Sequence, residues 1–261
     1  MASAPRSVRD EDGVVAAGDD RPSWSDIAGW YDDLLTAGSG PHETALECLR
    51  SLLPDLRGAT VLDLACGQGL ATRALAAAGA EHVIGTDRSE AMIELARRHG
   101  GPVGGADITY VVDDAQTLQT FEDSAFDGVT CQLALMDIPD LDAALGATRR
   151  VLRQDGWFVF VIGHPCYLAP DAATIRGPDG RPAVTITNYF GERFWRSTNP
   201  DGVRRAGNYH RTLSTYLNGL IRAGFALDVV AEPKPSRRLA EQRPLYEQVP
   251  IFFAGRAIRR G

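Results

Sequence analysis

Lysine is almost missing from this chain: Lys234 is the only one among 261 residues, and arginine carries the remaining fixed positive charge. Acids outnumber bases, 34 to 27, for a formal net charge of −7. An acidic surface repels phosphate backbones, so nucleic acid is a poor default partner. Long apolar runs are missing too. Nowhere do about 18 apolar residues stand together, so no ordinary helical membrane span is expected. The first residues (MASAPRSVRDEDG) have no apolar stretch behind their charges, so they do not read as a secretory signal. Cysteine is scarce. Cys48, Cys66, Cys131 and Cys166 form no CxxC and no spaced cysteine–histidine set, which suits free, structural thiols in a reducing, cytoplasmic compartment. No histidine–carboxylate set has metal-ligand spacing, and no metal is expected.

What is present is an ordinary globular composition, 44% hydrophobic and 23% charged. Residues 1–22 are polar and short of large apolar groups, and read as a disordered tail. From Ser23 on, Ile27, Trp30, Tyr31, Leu34 and Leu35 recur at helical spacing, and a second helix is expected from His42 to Leu53. Strands then alternate with helices: strands at Thr60–Ala65, His82–Thr86, Ile108–Val112, Gly128–Leu133 and the wholly apolar Trp157–Ile162. This rhythm predicts a doubly wound α/β fold with a mostly parallel sheet. It breaks at 164–208, which is rich in Pro, Gly, Asp and Arg, with one hairpin expected between Val184–Tyr189 and Phe194–Ser197. A helix at Thr212–Ala223 and strands at Ala226–Ala231 and Ile251–Ala257 close the chain. The expected organisation is a lid at 23–58, a core at 59–163 and 209–261, and an inserted cap at 164–208.

The most informative segment is Val61-Leu62-Asp63-Leu64-Ala65-Cys66-Gly67-Gln68-Gly69. Two glycines after a strand allow a tight turn and close approach of a ligand, although a tight strand-to-helix turn needs no ligand at all. Asp87 ends the second strand, where a carboxylate accepts hydrogen bonds from ribose hydroxyls. Dinucleotide enzymes share that feature. Here, however, Thr72 stands where their third glycine belongs, and a further acid, Asp114, follows the third strand.

LDLACGQG, the acid at Asp87, DDA at 113–115 and FDGVTCQLALMDIPDLDAALGATRRVLRQDGW resemble the successive motifs of class I S-adenosylmethionine-dependent methyltransferases. The resemblance runs from about Ser23 to Ala257 and leaves 164–208 unmatched. It implies a seven-stranded, Rossmann-like sheet with the last strand antiparallel. It also implies that S-adenosylmethionine is the cofactor and S-adenosylhomocysteine the product. By that resemblance Asp63, Ala65 and Gly67 surround the methionine part, and Asp87 holds the ribose. Arg88 and Met92 flank the adenine, Asp114 and Ala115 meet its edge, and the Gln132–Leu133 backbone reaches the methionine amine. WSDIAGWYDDLL resembles the family's N-terminal lid, with Tyr31 closing over the cofactor, where the alternative is a plain packing role. LALMDIPD and GHPCY resemble a small-molecule branch of these enzymes.

The expected reaction is methyl transfer to oxygen or nitrogen of a small-molecule acceptor, a specialised metabolite, by a monomer or homodimer. His164, directly after the fifth strand, is the candidate base or acceptor-orienting group; alternatively its ring pins the start of the insertion. Tyr209 and His210, expected to open the next helix, are further candidates. Asp137 is expected to cap a helix or brace its loop. His42, His82 and His99 are expected at the surface or in packing. Arg176, Arg181, Arg193 and Arg196 are alternatives for meeting an anionic acceptor group. RNA or protein methylation, a non-methylating member of the fold and a nicotinamide oxidoreductase are the competing readings. The first is weakened because Gln132-Leu133-Ala134-Leu135 stands where an (N/D)PP(Y/F) tetrad would be.

Overall fold

A computed structural model describes residues 23–100 and 104–261; the expected tail at 1–22 lies outside the described residues. Five strands, β1 (Thr60–Leu64), β2 (His82–Asp87), β3 (Asp107–Val112), β4 (Phe126–Gln132) and β5 (Leu152–Gly163), join β10 (Phe225–Ala231) and β11 (Phe252–Arg259) in one sheet. Its order is β10-β11-β5-β4-β1-β2-β3. The pairs among β1 to β5 are parallel, and β11 runs antiparallel to both neighbours. The seven-stranded fold expected from the sequence is the fold observed.

β5 explains the depth of the core. Its side chains alternate between faces. Phe158, Phe160 and Ile162 pack into the cluster under α5 (Leu141–Val151) and α6 (Leu213–Arg222). Trp157, Val159 and Val161 pack into the cluster under α2 (Gly40–Leu52) and α3 (Leu70–Ala77). Gly128 makes this possible, since a Cβ there would lie 2.0 Å from Trp157 Cζ2. The helices start where capping chemistry places them: Ser89 accepts from the Met92 N–H at the head of α4 (Glu90–His99), and Thr212 does the same for α6. α1 (Ala28–Thr36) crosses in front of α4, to which Asp32 and His99 tie it at 2.6 Å.

The segment after β5 differs from the expected hairpin. β6 (Ala173–Arg176) pairs with β7 (Pro182–Thr185), and β8 (Arg193–Trp195) pairs with β9 (Asn208–His210). Tyr209 and His210 therefore belong to β9 and not to the start of α6. The stretch between β10 and β11, which carries Pro233, Pro235, Pro244 and Pro250, contains α7 (Arg237–Gln242), whose buried Leu239 packs against Gly40 of α2.

Candidate active site

Strand order reverses between β1 and β4, the kind of position where open α/β sheets bind ligands beyond the strand ends. A cavity of about 330 Å³ lies there, within the range of small-molecule sites. The carboxyl ends of the strands and the turns that follow contribute Asp63, Ala65 and Gly67 from β1, Asp87 and Arg88 from β2 with Met92 of α4, and Gln132 and Leu133 from β4. Two further walls come from outside it. Trp24, Tyr31, Leu35 and His42 belong to the N-terminal segment, and Phe194, Arg196, Ala206 and Tyr209 to the segment after β5.

Both strand ends turn sharply. Ala65 has φ 53 and Leu133 φ 57, the left-handed region, which costs an L-residue roughly 1–2 kcal/mol. Asp63 is buried, and Thr72 Oγ1 (2.7 Å) and Thr130 Oγ1 (3.0 Å) donate to its two oxygens. Burial still pushes its pKa up to about 6. Asp87 accepts the backbone N–H of Gly67 and of Ser89, each at 2.9 Å, which fastens the glycine turn to β2. Its pKa is also raised by burial. Asp137, in a short 3-10 turn after β4, pairs with Arg204 at 2.8 Å, and burial pushes its pKa up to about 6 despite that partner. Three carboxylates with penalised charge face one cavity, and a cationic ligand relieves that penalty.

Most of the candidate cofactor and catalytic residues meet at this cavity, but four of them do not line it. Asp114 turns its carboxylate to Gln116, accepting the backbone N–H at 2.8 Å and the side-chain amide at 3.1 Å. Ala115 packs into the core. His164 is a correction. Its Nδ1 accepts the Cys166 N–H at 3.3 Å, so Nε2 carries the proton and donates to Glu232 at 3.1 Å. The ring leans on Phe253 of β11, on the far side of β5 from β4 and β1. His210 alternates with Tyr209 along β9 and faces away from the cavity, 2.7 Å from the Tyr189 carbonyl.

Two residues given other roles by the sequence line the cavity. Asp137 caps no helix, since Asp140 caps α5 by accepting the Ala143 N–H at 2.9 Å; its pair with Arg204 fits the other expectation, a brace for its loop. His42 lines the cavity, with Nε2 2.9 Å from Tyr31 Oη. Tyr31 of α1 meets it there across the gap to α2, a long-range pairing of which helical periodicity carries no trace. The Ser39–His42 spacing, that of a capping box, is the one local signal. Of the four arginines considered for an anionic group, only Arg196 lines the cavity among the described residues. Cys66 also lines it, but burial raises its pKa well above the ordinary thiol value, which keeps it protonated.

The family described as methyltransferase domain matches residues 62–160. A solved S-adenosylmethionine-dependent methyltransferase from Mesorhizobium loti is 32% identical, with a TM-score of 0.68, over 82% of this chain and 96% of that one. The chain belongs to the S-adenosylmethionine-dependent methyltransferases. An uncharacterized protein of Haemophilus influenzae is 30% identical over 190 residues, 70% of this chain and 73% of that protein. A ubiquinone biosynthesis O-methyltransferase of Neisseria meningitidis is 37% identical over 106 residues. That match spans 41% of this methyltransferase and less than half, 44%, of the relative.

The cavity of this methyltransferase suits its cofactor, S-adenosylmethionine, on three observations. Gln132 Oε1 is buried in the wall with no hydrogen-bond partner among the described residues, an acceptor waiting for an ammonium or hydroxyl donor. Each Asp87 oxygen takes one backbone N–H and keeps a lone pair for a diol. Met92 is buried in a small apolar cluster with Trp24 beside it, a slot for a flat ring.

Proposed function

We propose that this methyltransferase modifies an oxygen or nitrogen of a small molecule, a specialised metabolite, and acts on neither RNA nor protein. One observation carries the reading: the cavity is roofed from two sides. Arg204 reaches Asp137, and the Arg205 guanidinium lies 4.0 Å from the Trp30 ring centroid, so the segment after β5 is fastened both to the β4 rim and to α1. In this reading 23–58 is a lid, 164–208 a cap, and 59–163 with 209–261 the catalytic core. A covered cavity admits a small acceptor far more readily than a polymer. The acceptor name of the Neisseria relative favours oxygen.

When bound, S-adenosylmethionine supplies an electrophilic methyl group on a sulfonium. The protein's part is then mainly alignment, which supplies roughly 7–11 kcal/mol. In this assignment Asp87 accepts the ribose hydroxyls and Arg88 and Met92 flank the adenine. Asp63, Ala65, Gly67, Gln132 and Leu133 surround the methionine end. Phe194, Arg196 and Tyr209 face the acceptor.

The test uses cofactor with a deuterated methyl group, offered with phenols, catechols, amines, RNA and protein. Label found by mass spectrometry in a phenol, catechol or amine supports the reading. Label in RNA or protein alone contradicts it.

A further inference from the structure

We propose that Tyr31, His42 and Ser39 form a relay that carries the acceptor's proton out of the cavity during methyl transfer. The inference rests on the small-molecule reading above.

The three side chains make one continuous line. Tyr31 Oη is 2.9 Å from His42 Nε2, and His42 Nδ1 is 2.7 Å from Ser39 Oγ. Tyr31 and His42 line the cavity, and Ser39 lies half-buried at the head of α2. Ser39 occupies the N-cap position of α2, yet its hydroxyl makes no cap hydrogen bond. A cap bond there would stabilise the start of the helix, and here the hydroxyl goes to the imidazole instead. Both ring nitrogens are thus joined to hydroxyls, one on a residue that lines the cavity and one on a partly exposed residue that does not.

Tyr31 stands at the junction of the two halves of the cavity. A Cβ added to Gly67 would lie 3.8 Å from Tyr31 Cε1, so the ring covers the glycine turn. Trp24 meets it edge-on at 5.3 Å. Tyr31 feels Arg204 and Asp137 at the cap end and Asp87 at the sheet end.

The charged group acting on His42 is Arg204, from the cap; Tyr31 meets it from α1, Asp137 pairs with Arg204, and Asp87 acts electrostatically on Tyr31. Burial and then Arg204 push the His42 pKa down to about 4. The imidazole is neutral near pH 7 and passes a proton on without retaining it. The starting tautomer accepts from Tyr31 at Nε2 and donates from Nδ1 to Ser39.

The step balances. The acceptor's O–H or N–H bond breaks, its electron pair forms the new bond to carbon, and the pair of the broken carbon–sulfur bond stays on sulfur. The acceptor proton moves to Tyr31 Oη as Tyr31 gives its own to His42 Nε2. The Nδ1 proton leaves through Ser39 Oγ to solvent, one proton for each methyl group transferred.

The experiment compares the full chain with Tyr31→Phe, His42→Gln and Ser39→Ala. Calorimetry gives affinity for S-adenosylhomocysteine, proton inventories in mixed light and heavy water give the number of moving protons, and ¹⁵N spectra give the state of His42. Expected are a fall in kcat of about 10²-fold in Tyr31→Phe and His42→Gln, with product affinity within about threefold in Tyr31→Phe, which keeps the ring over the glycine turn and removes only the hydroxyl. The inventory should be curved in the native protein and linear in Tyr31→Phe, which keeps the ring and its packing should His42→Gln fail to fold. Unchanged kcat in Tyr31→Phe, or a linear native inventory, overturns the relay. A fall in product affinity that matches the fall in kcat also overturns it, because the pair is then only a lid anchor. If the native protein labels no phenol, catechol or amine, the small-molecule reading fails, and the spectra decide the relay separately. A neutral His42 whose Nε2 signal moves in Tyr31→Phe supports the chain of groups. A protonated ring at pH 7, or an unmoved signal, overturns it.

Discussion

Thr72 Oγ1 donates to Asp63 Oδ2 at 2.7 Å. The residue that replaces the third glycine of a dinucleotide turn thus holds the acid of the preceding strand. The same hydroxyl lies where a Cβ on Gly85 would be only 2.9 Å away, so β2 comes close beside it. The space a third glycine would leave for a pyrophosphate here serves a buried carboxylate.

The Asp63 carboxyl predicts a pH effect on stability. Its pKa is about 6 in the folded protein against an ordinary 3.8. The folded state therefore holds this proton more tightly than the unfolded chain does. Its contribution is fully present below pH 3.8, declines as pH rises, and is gone above about 6, a change of roughly 3 kcal/mol. Denaturation of the native protein and of Asp63→Asn between pH 4 and 8 isolates it, since other titrating groups are common to both. The stability difference between the two should shift across that window. A constant difference would mean Asp63 is ionised throughout.

The left-handed backbone at Ala65 (φ 53) predicts an asymmetric tolerance. Ala65→Gly relieves about 1 kcal/mol of conformational cost and loses about 0.5–1 kcal/mol to unfolded-chain entropy. It should leave the melting temperature nearly unchanged. Ala65→Val places a branched side chain in the same region and should destabilise by more than about 1 kcal/mol. Equal melting temperatures for the two variants would place the residue elsewhere in backbone space.

The Arg204–Asp137 pair, with side chains 14% and 11% exposed, predicts a vulnerable roof. Arg204→Met leaves a buried carboxylate without its partner, which typically costs about 3–5 kcal/mol. Hydrogen exchange should show faster opening of 193–210 and of α1, which Arg205 touches through Trp30. In the native protein both segments should gain protection when cofactor and acceptor bind. Exchange confined to the sheet in every case would remove the lid and cap from the account.

The sheet was legible because its signals are local. β5 announces itself by six consecutive apolar residues, and the turn after β1 by its glycines and flanking acids. The strands of the segment after β5 were not legible, because strands of three or four residues such as β8 and β9 leave no periodicity to read. His164 shows the limit within the core. Its place at the end of β5 follows from the sequence, but its direction depends on Glu232, 68 residues away in the chain. His42 shows the opposite case, placed at the cavity by α2 and joined there to Tyr31 of another helix.

Cofactor binding at Asp87 is the central claim, and calorimetric titration with S-adenosylhomocysteine addresses it most directly. Replacing Asp87 with alanine removes the acceptor of two ribose hydroxyls, each hydrogen bond to a charged group being worth about 1.5–3 kcal/mol. Melting of the same variant shows separately whether loss of the Gly67 and Ser89 contacts has loosened the fold. The account predicts tight binding by the native protein and at least tenfold weaker binding by a folded Asp87→Ala, on the order of 1.4 kcal/mol or more. Unchanged affinity in that variant would contradict it.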